Sequence, residues 1–335
     1  MKLKNLIIIF LIFNVIPYYT EIKSNDNYLN IIYEINNNIN KNNIINTVSK
    51  LCENNSRITG TLNCNYSAFY IRNALEKNNI SNVFFQYFPF NNTKAINVIG
   101  KLKNQTKLNS NILLMAHYDS ISVDNIAPGA NDNAASVACI IEIARLLQII
   151  LKGIIPQRNL IVLLTSGEEE SLCGSNSWII NNPQTISTLL CVINFDMIGY
   201  GEYHTVISNE DSNWLARYII ECGTTMNLHI SKSYAIYPAT ARSDHANFMY
   251  MNIPTAWIFE QDDYYVWMHT AQDTIDKINF SLVSNCAKLF TFILYKLMIE
   301  KRGTNYSIIG LIFLNLLILL PIRFYFIRKI NINKK

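Results

Sequence analysis

Six residues in five short segments are of the types that bind metal ions or move protons. They are His117 in LLMAHYDS, Asp132 in PGANDNAAS, Glu168 and Glu169 in LLTSGEEESLCGS, Asp196 in INFDMIGYG and His269 in WMHTAQDTIDKI. Two imidazoles and three carboxylates are suitable ligands for a pair of zinc ions, which take nitrogen and oxygen donors. The fourth carboxylate is then free to act as a base. The five ligands in this reading are His117, Asp132, Glu169, Asp196 and His269, and the base is Glu168.

Taken singly, each of these residues also has an ordinary use. A histidine closing an apolar strand is commonly a packed, hydrogen-bonded side chain. Asp119, two residues beyond His117, lies on the same side of an extended chain, where its carboxylate can accept the imidazole N–H and leave the other ring nitrogen free for metal. Asp132 precedes a helix that begins near Ala134, so it is either an N-cap or a carboxylate bridging two cations roughly 3.5–4 Å apart. Glu168, Glu169 and Glu170 follow an apolar strand and lie between Gly167 and Gly174-Ser175, which suggests a positioned loop rather than a solvated charge run. One Glu of that loop can bind metal while its neighbour takes a proton from a water that the metal activates. Asp196 ends the strand INF, where an unpaired buried acid is costly and a cation relieves the cost.

The elements that must position these residues follow from the apolar pattern. Asn111–Ala116, Asn159–Thr165 and Val192–Phe195 are continuous apolar runs of the kind that form strands buried on both faces of a mostly parallel sheet. Ligands on the loops after such strands meet at the carboxyl edge of the sheet. A polar-faced helix is expected over 25–55 and further helices over Ser67–Asn78, Ala134–Leu151, Trp214–Cys222 and Leu282–Ile299. Further strands are expected at Val83–Phe90 and Ile253–Phe259, with Ala95–Leu102 and Asn111–Ala116 forming a hairpin. Strands alternate with helices throughout, so the fold class is α/β with a central sheet. The Asn runs, such as Asn36–Asn43, read as composition rather than mechanism.

The net charge of +4 comes partly from Lys and Arg at the two ends, with no basic, aromatic-studded stripe, so nucleic acid is not an expected partner. Residues 1–20 combine a charged start with a short apolar run, the pattern of a signal sequence or signal anchor. Residues 306–327 are expected to form a transmembrane helix, and 328–335 a basic cytosolic tail. Between them lies one catalytic domain, 25–300, placed in the lumen of the secretory pathway, at the endoplasmic reticulum or another endomembrane. Seven cysteines are present without a C-x-x-C pair. Most lie in apolar runs where a free thiol is the default, and Cys52 with Cys64 is the one candidate disulfide.

Read together and in order, HYDS, PGANDNAAS, SGEEESLCGS, NFDMIG, RSDHANF and HTAQDTIDK closely resemble the co-catalytic dizinc aminopeptidases of the secreted bacterial leucyl-aminopeptidase type, relatives of the glutaminyl cyclases. The resemblance runs from about Asn97 to Ala287. It implies a three-layer α/β/α sandwich with a mixed sheet, two zinc ions per chain and peptide substrates opened at their N-terminus. One ion would be held by His117, Asp132 and Asp196, the other by Asp132, Glu169 and His269. Glu168 would be the general base and Asp119 the residue that orients His117. The Asp132–Asn133 bond would be cis, Arg242 would contact substrate, and Asp244 would support the site from behind.

Met268 stands where many relatives carry a tyrosine, with Tyr264, Tyr265 or zinc alone left to steady the developing oxyanion. EEESLCGS also departs from the more usual pattern of two Glu, an apolar residue and Gly. Cyclase activity and a non-catalytic membrane scaffold are the alternatives on the same fold. The full ligand set and the retained base favour peptide hydrolysis.

Overall fold

The structure, a computed structural model, describes residues 28–53, 56–103, 105–234, 242–260 and 265–300. The expected signal (1–20), transmembrane helix (306–327) and basic tail (328–335) lie outside the described residues. The described residues up to Met298 form one compact unit.

Its centre is an eight-stranded sheet: β1 (Ser81–Phe90), β2 (Thr93–Lys101), β3 (Asn111–His117), β4 (Asn159–Thr165), β5 (Leu189–Phe195), β6 (His204–Ser208), β7 (Ile230–Tyr234) and β8 (Thr255–Glu260). The spatial order is β1-β2-β4-β3-β5-β8-β6-β7. The four central strands β4, β3, β5 and β8 run parallel, while β1, β2 and β6 pair antiparallel to their inner neighbours. The sheet is therefore mixed and mostly parallel, with helices on both sides. The helices are α1 (28–38), α2 (Lys41–Cys52), α3 (Leu62–Lys77), α4 (Ala135–Ile150), α5 (Cys173–Asn181), α6 (Pro183–Ile186), α7 (Asn213–Met226), α8 (His245–Met249) and α9 (Phe280–Ile299).

The strand residues alternate between the two helical layers, as the two-residue period requires. Leu113 and Met115 of β3, Ile161 and Leu163 of β4 and Val192 of β5 pack with Trp178 of α5 and Phe248 of α8. Truncating one of these to Ala would cost roughly 2–5 kcal/mol. The intervening Ile112 and Leu114 are fully buried too, because β3 is covered on both faces. Helix α4 is buried over nearly its whole length, which is why it is apolar all round. Its one acid in the interior, Glu142, takes a bond from the Asn40 amide (2.7 Å) and from Arg145 (2.6 Å). Two described helices, Ala130–Ile150 and Phe280–Ile299, are apolar enough to cross a membrane, but both lie largely inside the domain. Their composition is that of core helices.

Four expectations are corrected. Ala95–Leu102 and Asn111–Ala116 do not form a hairpin, because β4 lies between β2 and β3 and pairs with both. The β3–α4–β4 crossover makes β4 parallel to β3, and the hairpin is β1–β2, closed by Asn91 at φ 48. The helix expected over 25–55 is two helices. Asn40 breaks it, its side chain accepting from the Asn42 (3.1 Å) and Asn43 (3.3 Å) amides as the N-cap of α2, so at least this Asn of the run is mechanistic. Cys52 and Cys64 are free thiols. The Cys64 thiol is buried 3.4 Å from Ser166 Oγ, turned to a polar network rather than to Cys52. Strands β6 and β7, of five residues each, were not expected, since so short a run carries little periodicity.

Candidate metal centre

From β3 the chain passes to β4 on one side, and later to β5 on the other. The crevice beyond the carboxyl ends of these three strands is where an open α/β sheet places its site. His117 is the last residue of β3, Glu168 and Glu169 sit just past β4, and Asp196 follows β5. Asp132 comes from the loop between β3 and α4, and His269 from the turn before α9.

Short-range geometry brings these side chains to one point. The Asp132 carboxylate lies between the two imidazoles, with Oδ1 3.2 Å from His117 Nε2 and Oδ2 3.2 Å from His269 Nε2. Asp196 Oδ1 is 3.3 Å from His117 Nε2, and Glu169 Oε2 is 3.0 Å from His269 Nε2. Glu168 lies beside His117 and Asp196, the donor atoms of all three falling within 4.8 Å of one another. His117 Nδ1 faces away from the cluster, 3.3 Å from the Asp119 carbonyl oxygen and 3.5 Å from its Oδ1. That arrangement favours the tautomer leaving Nε2 for a metal. The donors are two nitrogens and several carboxylate oxygens, a set that suits zinc. Glu169 Oε1 is buried with no hydrogen-bond partner, an orphan that a cation would satisfy.

The local backbone explains why Asp132 can stand there. Gly129 has φ +54, and a Cβ on it would meet Asp132 O at 2.3 Å and Arg57 Nη2 at 2.8 Å, so only glycine fits. The Asp132–Asn133 peptide is cis. The asparagines on either side lock the segment to the end of β5: Asn133 donates to Phe195 O (2.9 Å), and Asn131 Oδ1 accepts from the Gly199 amide (2.7 Å). Asp273, in the same turn as His269, accepts from the amides of Asn131 (2.9 Å) and Asp132 (3.0 Å). Tyr265 donates to Asp273 Oδ1 at 2.6 Å, so its hydroxyl is already committed. Tyr264 lies outside the described residues.

Electrostatics mark the cluster as a site short of cations. Burial alone would depress His117, but Glu168 and Asp196, with hydrogen bonds to Asp119 and Asp132, hold it well above the usual imidazole range. His269 is pushed up to about 10 by its bonds to Asp132 and Glu169. Burial raises Glu169 to about 7, reinforced by Asp132 and eased by His269. Burial likewise lifts Glu168 well above the carboxylate range, with Asp196, Asp244 and Glu169 adding repulsion. Acids pushed toward their neutral form by burial, and further by one another, are residues that a divalent ion would relieve.

The two outlying residues fare differently. Asp244 is buried behind the cluster; its Oδ2 accepts from Thr165 Oγ1, its Oδ1 has no partner, and burial raises it to about 6. Arg242 is exposed. His204, His229 and His245 stand outside it, as their sequence settings suggest. Three residues that the sequence did not single out belong to the surroundings. Asp273, four residues past His269, is one, and its place as the first acid of that motif was the available signal. Glu260 ends β8 and accepts from Asn131 Nδ2 (2.7 Å). Arg57, fully buried, had no signal beyond being a charged residue beside a turn.

The sequence model of Peptidase family M28 matches residues 97–293, more than half of the chain. The chain belongs to Peptidase family M28. A probable leucine aminopeptidase from Arthroderma benhamiae is 32% identical over 192 residues, 54% of this chain and 52% of that protein. Endoplasmic reticulum metallopeptidase 1 from Mus musculus is 26% identical over 186 residues, 54% of this chain and 20% of that protein. The chain thus spans about half the length, or less, of these curated relatives. Among solved structures, the LapA aminopeptidase of Legionella pneumophila superposes with a TM-score of 0.70 at 21% identity, covering 81% of this chain and 75% of that one. The family match starts at Asn97 and so covers every strand from mid-β2 onward and all six clustered residues. Helices α1 to α3 and the segment Arg57–Gly60 precede it.

Proposed function

We propose that this M28 protein is a dizinc aminopeptidase that removes N-terminal residues from peptides. The observation that carries the reading is the Asp132 carboxylate, with one oxygen on each of two imidazoles at 3.2 Å. A carboxylate so shared can bridge two cations, each with its own further ligands. In this reading His117, Asp132 and Asp196 hold one zinc, and Asp132, Glu169 and His269 hold the other. When bound, the two ions supply Lewis acidity toward the scissile carbonyl and a water reactive at neutral pH. Glu168, beside His117 and Asp196, takes the proton of the attacking water on a carboxylate oxygen and delivers it to the leaving amine. Asp119 fixes the His117 ring. Asp244 backs the Glu168 loop, and Arg242 at the rim meets the substrate chain.

Glu168→Gln is the test. It keeps the shape of the site and removes the base, so zinc content should hold while turnover of an aminoacyl nitroanilide falls roughly 10²–10⁴-fold. Near-normal turnover would remove Glu168 from the mechanism. Glutaminyl cyclisation without hydrolysis, or a chain that binds zinc and turns over neither substrate, would replace the aminopeptidase reading by the cyclase or the scaffold.

The domain is taken as 25–300, held at the endoplasmic reticulum or a related endomembrane by a helix over 306–327, with the catalytic body in the lumen. The support is the apolar run Ile308–Leu320, the basic residues after it and the similarity to a relative named for the endoplasmic reticulum. On sealed vesicles, protease should clip only the tail beyond about Arg328. Digestion of the body, or release by carbonate wash, would remove the tether.

A further inference from the structure

The segment Arg57–Gly60 provides none of the clustered ligands and precedes the family match, yet it touches both loops that carry His117 and Glu168. Thr59 is its hub. The buried Thr59 Oγ1 lies 2.9 Å from Asp119 Oδ2, 3.0 Å from the Gly167 amide and 3.1 Å from Ser166 Oγ. A hydroxyl has one hydrogen and two acceptor positions. The Gly167 amide can only donate, and the Asp119 carboxylate accepts. The Thr59 hydrogen therefore goes to Asp119, and the Ser166 hydroxyl must donate to Thr59. With its hydrogen so used, Ser166 Oγ accepts from the buried Cys64 thiol at 3.4 Å. Four groups, Cys64, Ser166, Thr59 and Asp119, are thus ordered in one direction, and the order ends against His117 Nδ1.

We infer that Thr59 is a positioning residue for the metal centre: its hydroxyl fixes the Asp119 carboxylate that orients His117, and at the same atom sets the Glu168 loop against the His117 loop. The inference rests on the dizinc reading for its consequence, though not for its geometry. Asp119 completes the connection on the far side, its Oδ1 facing both His117 Nδ1 and the Glu168 amide, the latter at 3.4 Å. Without the Thr59 bond, the Asp119 carboxylate keeps, among the described residues, these two long contacts, and the Gly167 amide loses its acceptor. A valine at 59 has nearly the same shape and no hydroxyl, whereas a serine restores it.

Two readouts test this on the full chain: zinc affinity by chelator competition, and hydrogen exchange at the Gly167 amide of zinc-free protein. Thr59→Val, which removes a partner of Asp119 rather than of a ligand, should weaken zinc binding by up to about 10-fold, the low end of what losing a direct partner of a ligand costs, and should deprotect Gly167. Thr59→Ser should recover both, and the loss in Thr59→Val should fall on kcat rather than KM. Unchanged affinity and exchange in Thr59→Val, or equal losses in the Val and Ser variants, would overturn the inference. Should the Val variant not fold, Ser166→Ala is read in the same assays, with a smaller loss in the same direction expected and no loss refuting. A wild-type protein that holds fewer than two ions would sink the dinuclear reading, while Gly167 exchange would still decide the role of Thr59.

Discussion

Arg57 offers a perturbation whose size can be worked out from the structure. Its side chain is fully buried, and among the described residues no carboxylate pairs with it. Instead Nε donates to Tyr118 O (2.6 Å), Nη1 to Leu51 O (3.2 Å) and Pro128 O (2.5 Å), and Nη2 to Gly129 O (2.9 Å). One guanidinium thereby ties the end of α2 to the residue after His117 and to the turn that presents Asp132. Lysine at 57 keeps the charge but has three donors on one atom and no planar fork. It can serve at most three of the four carbonyls, and less linearly.

Each bond to a charged donor contributes about 1.5–3 kcal/mol, and a buried carbonyl left without a donor costs about 1–3 kcal/mol. Losing one bond outright and weakening the others gives roughly 2–4 kcal/mol for Arg57→Lys. For a domain of this size, at about 2–4 °C per kcal/mol, the melting temperature should fall by roughly 5–15 °C. Arg57→Met, which abandons all four carbonyls, should lose more than Arg57→Lys. Differential scanning calorimetry of the zinc-free and zinc-loaded forms is the assay, and the deficit should appear in both. A Lys variant melting within a degree of wild type would refute the claim that the fork geometry matters. Equal losses for Lys and Met would show that the arginine acts through packing alone.

Other outcomes follow from the same structure. On the proposed dizinc reading, in which Asp132 serves both ions, Asp132→Asn should lower both zinc occupancies, whereas His269→Ala should mainly empty one; metal analysis showing a single ion in zinc-replete wild type would end the dinuclear reading. His204 is buried and bonded to Ile198 O at 2.9 Å, and burial lowers it from 6.5 to about 4. The unfolded chain therefore binds the extra proton between those values, so this group's contribution is complete above pH 6.5 and about 3 kcal/mol is lost as pH falls to 4; urea titrations of His204→Gln, which keeps a donor but does not titrate, should show that much less acid sensitivity than wild type.

Much of the fold could be read from β3, β4 and β5. Each is a run of seven residues, almost all buried, and such runs announce a central parallel strand without reference to anything distant. The errors came where pairing depends on topology rather than on local pattern. Nothing in Ala95–Leu102 or Asn111–Ala116 says that β4, some forty residues later, will enter between them. The break at Asn40 was missed for the opposite reason. In a chain so rich in asparagine, one capping side chain has no distinctive surroundings in sequence, and only the amides it accepts from set it apart.

The site divides along the same line. His117, Asp132, Glu168, Glu169, Asp196 and His269 each sit directly after an apolar run, before a helix or in a dense polar motif, and their chemistry is unusual enough to be noticed one residue at a time. What holds them is chemically ordinary: a threonine, a serine, two asparagines, an arginine on backbone carbonyls. Such groups become functional through direction, since a hydroxyl with one hydrogen and two lone pairs is informative only once its three neighbours are known. The bond from Thr59 to Asp119 spans sixty residues, and that from Asn131 to Glu260 spans 129. At those separations neither periodicity nor spacing can pair the partners. Candidate metal ligands are therefore legible in a sequence before the framework that aims them is, and the framework is where substitutions remote from the chemistry should be expected to change it.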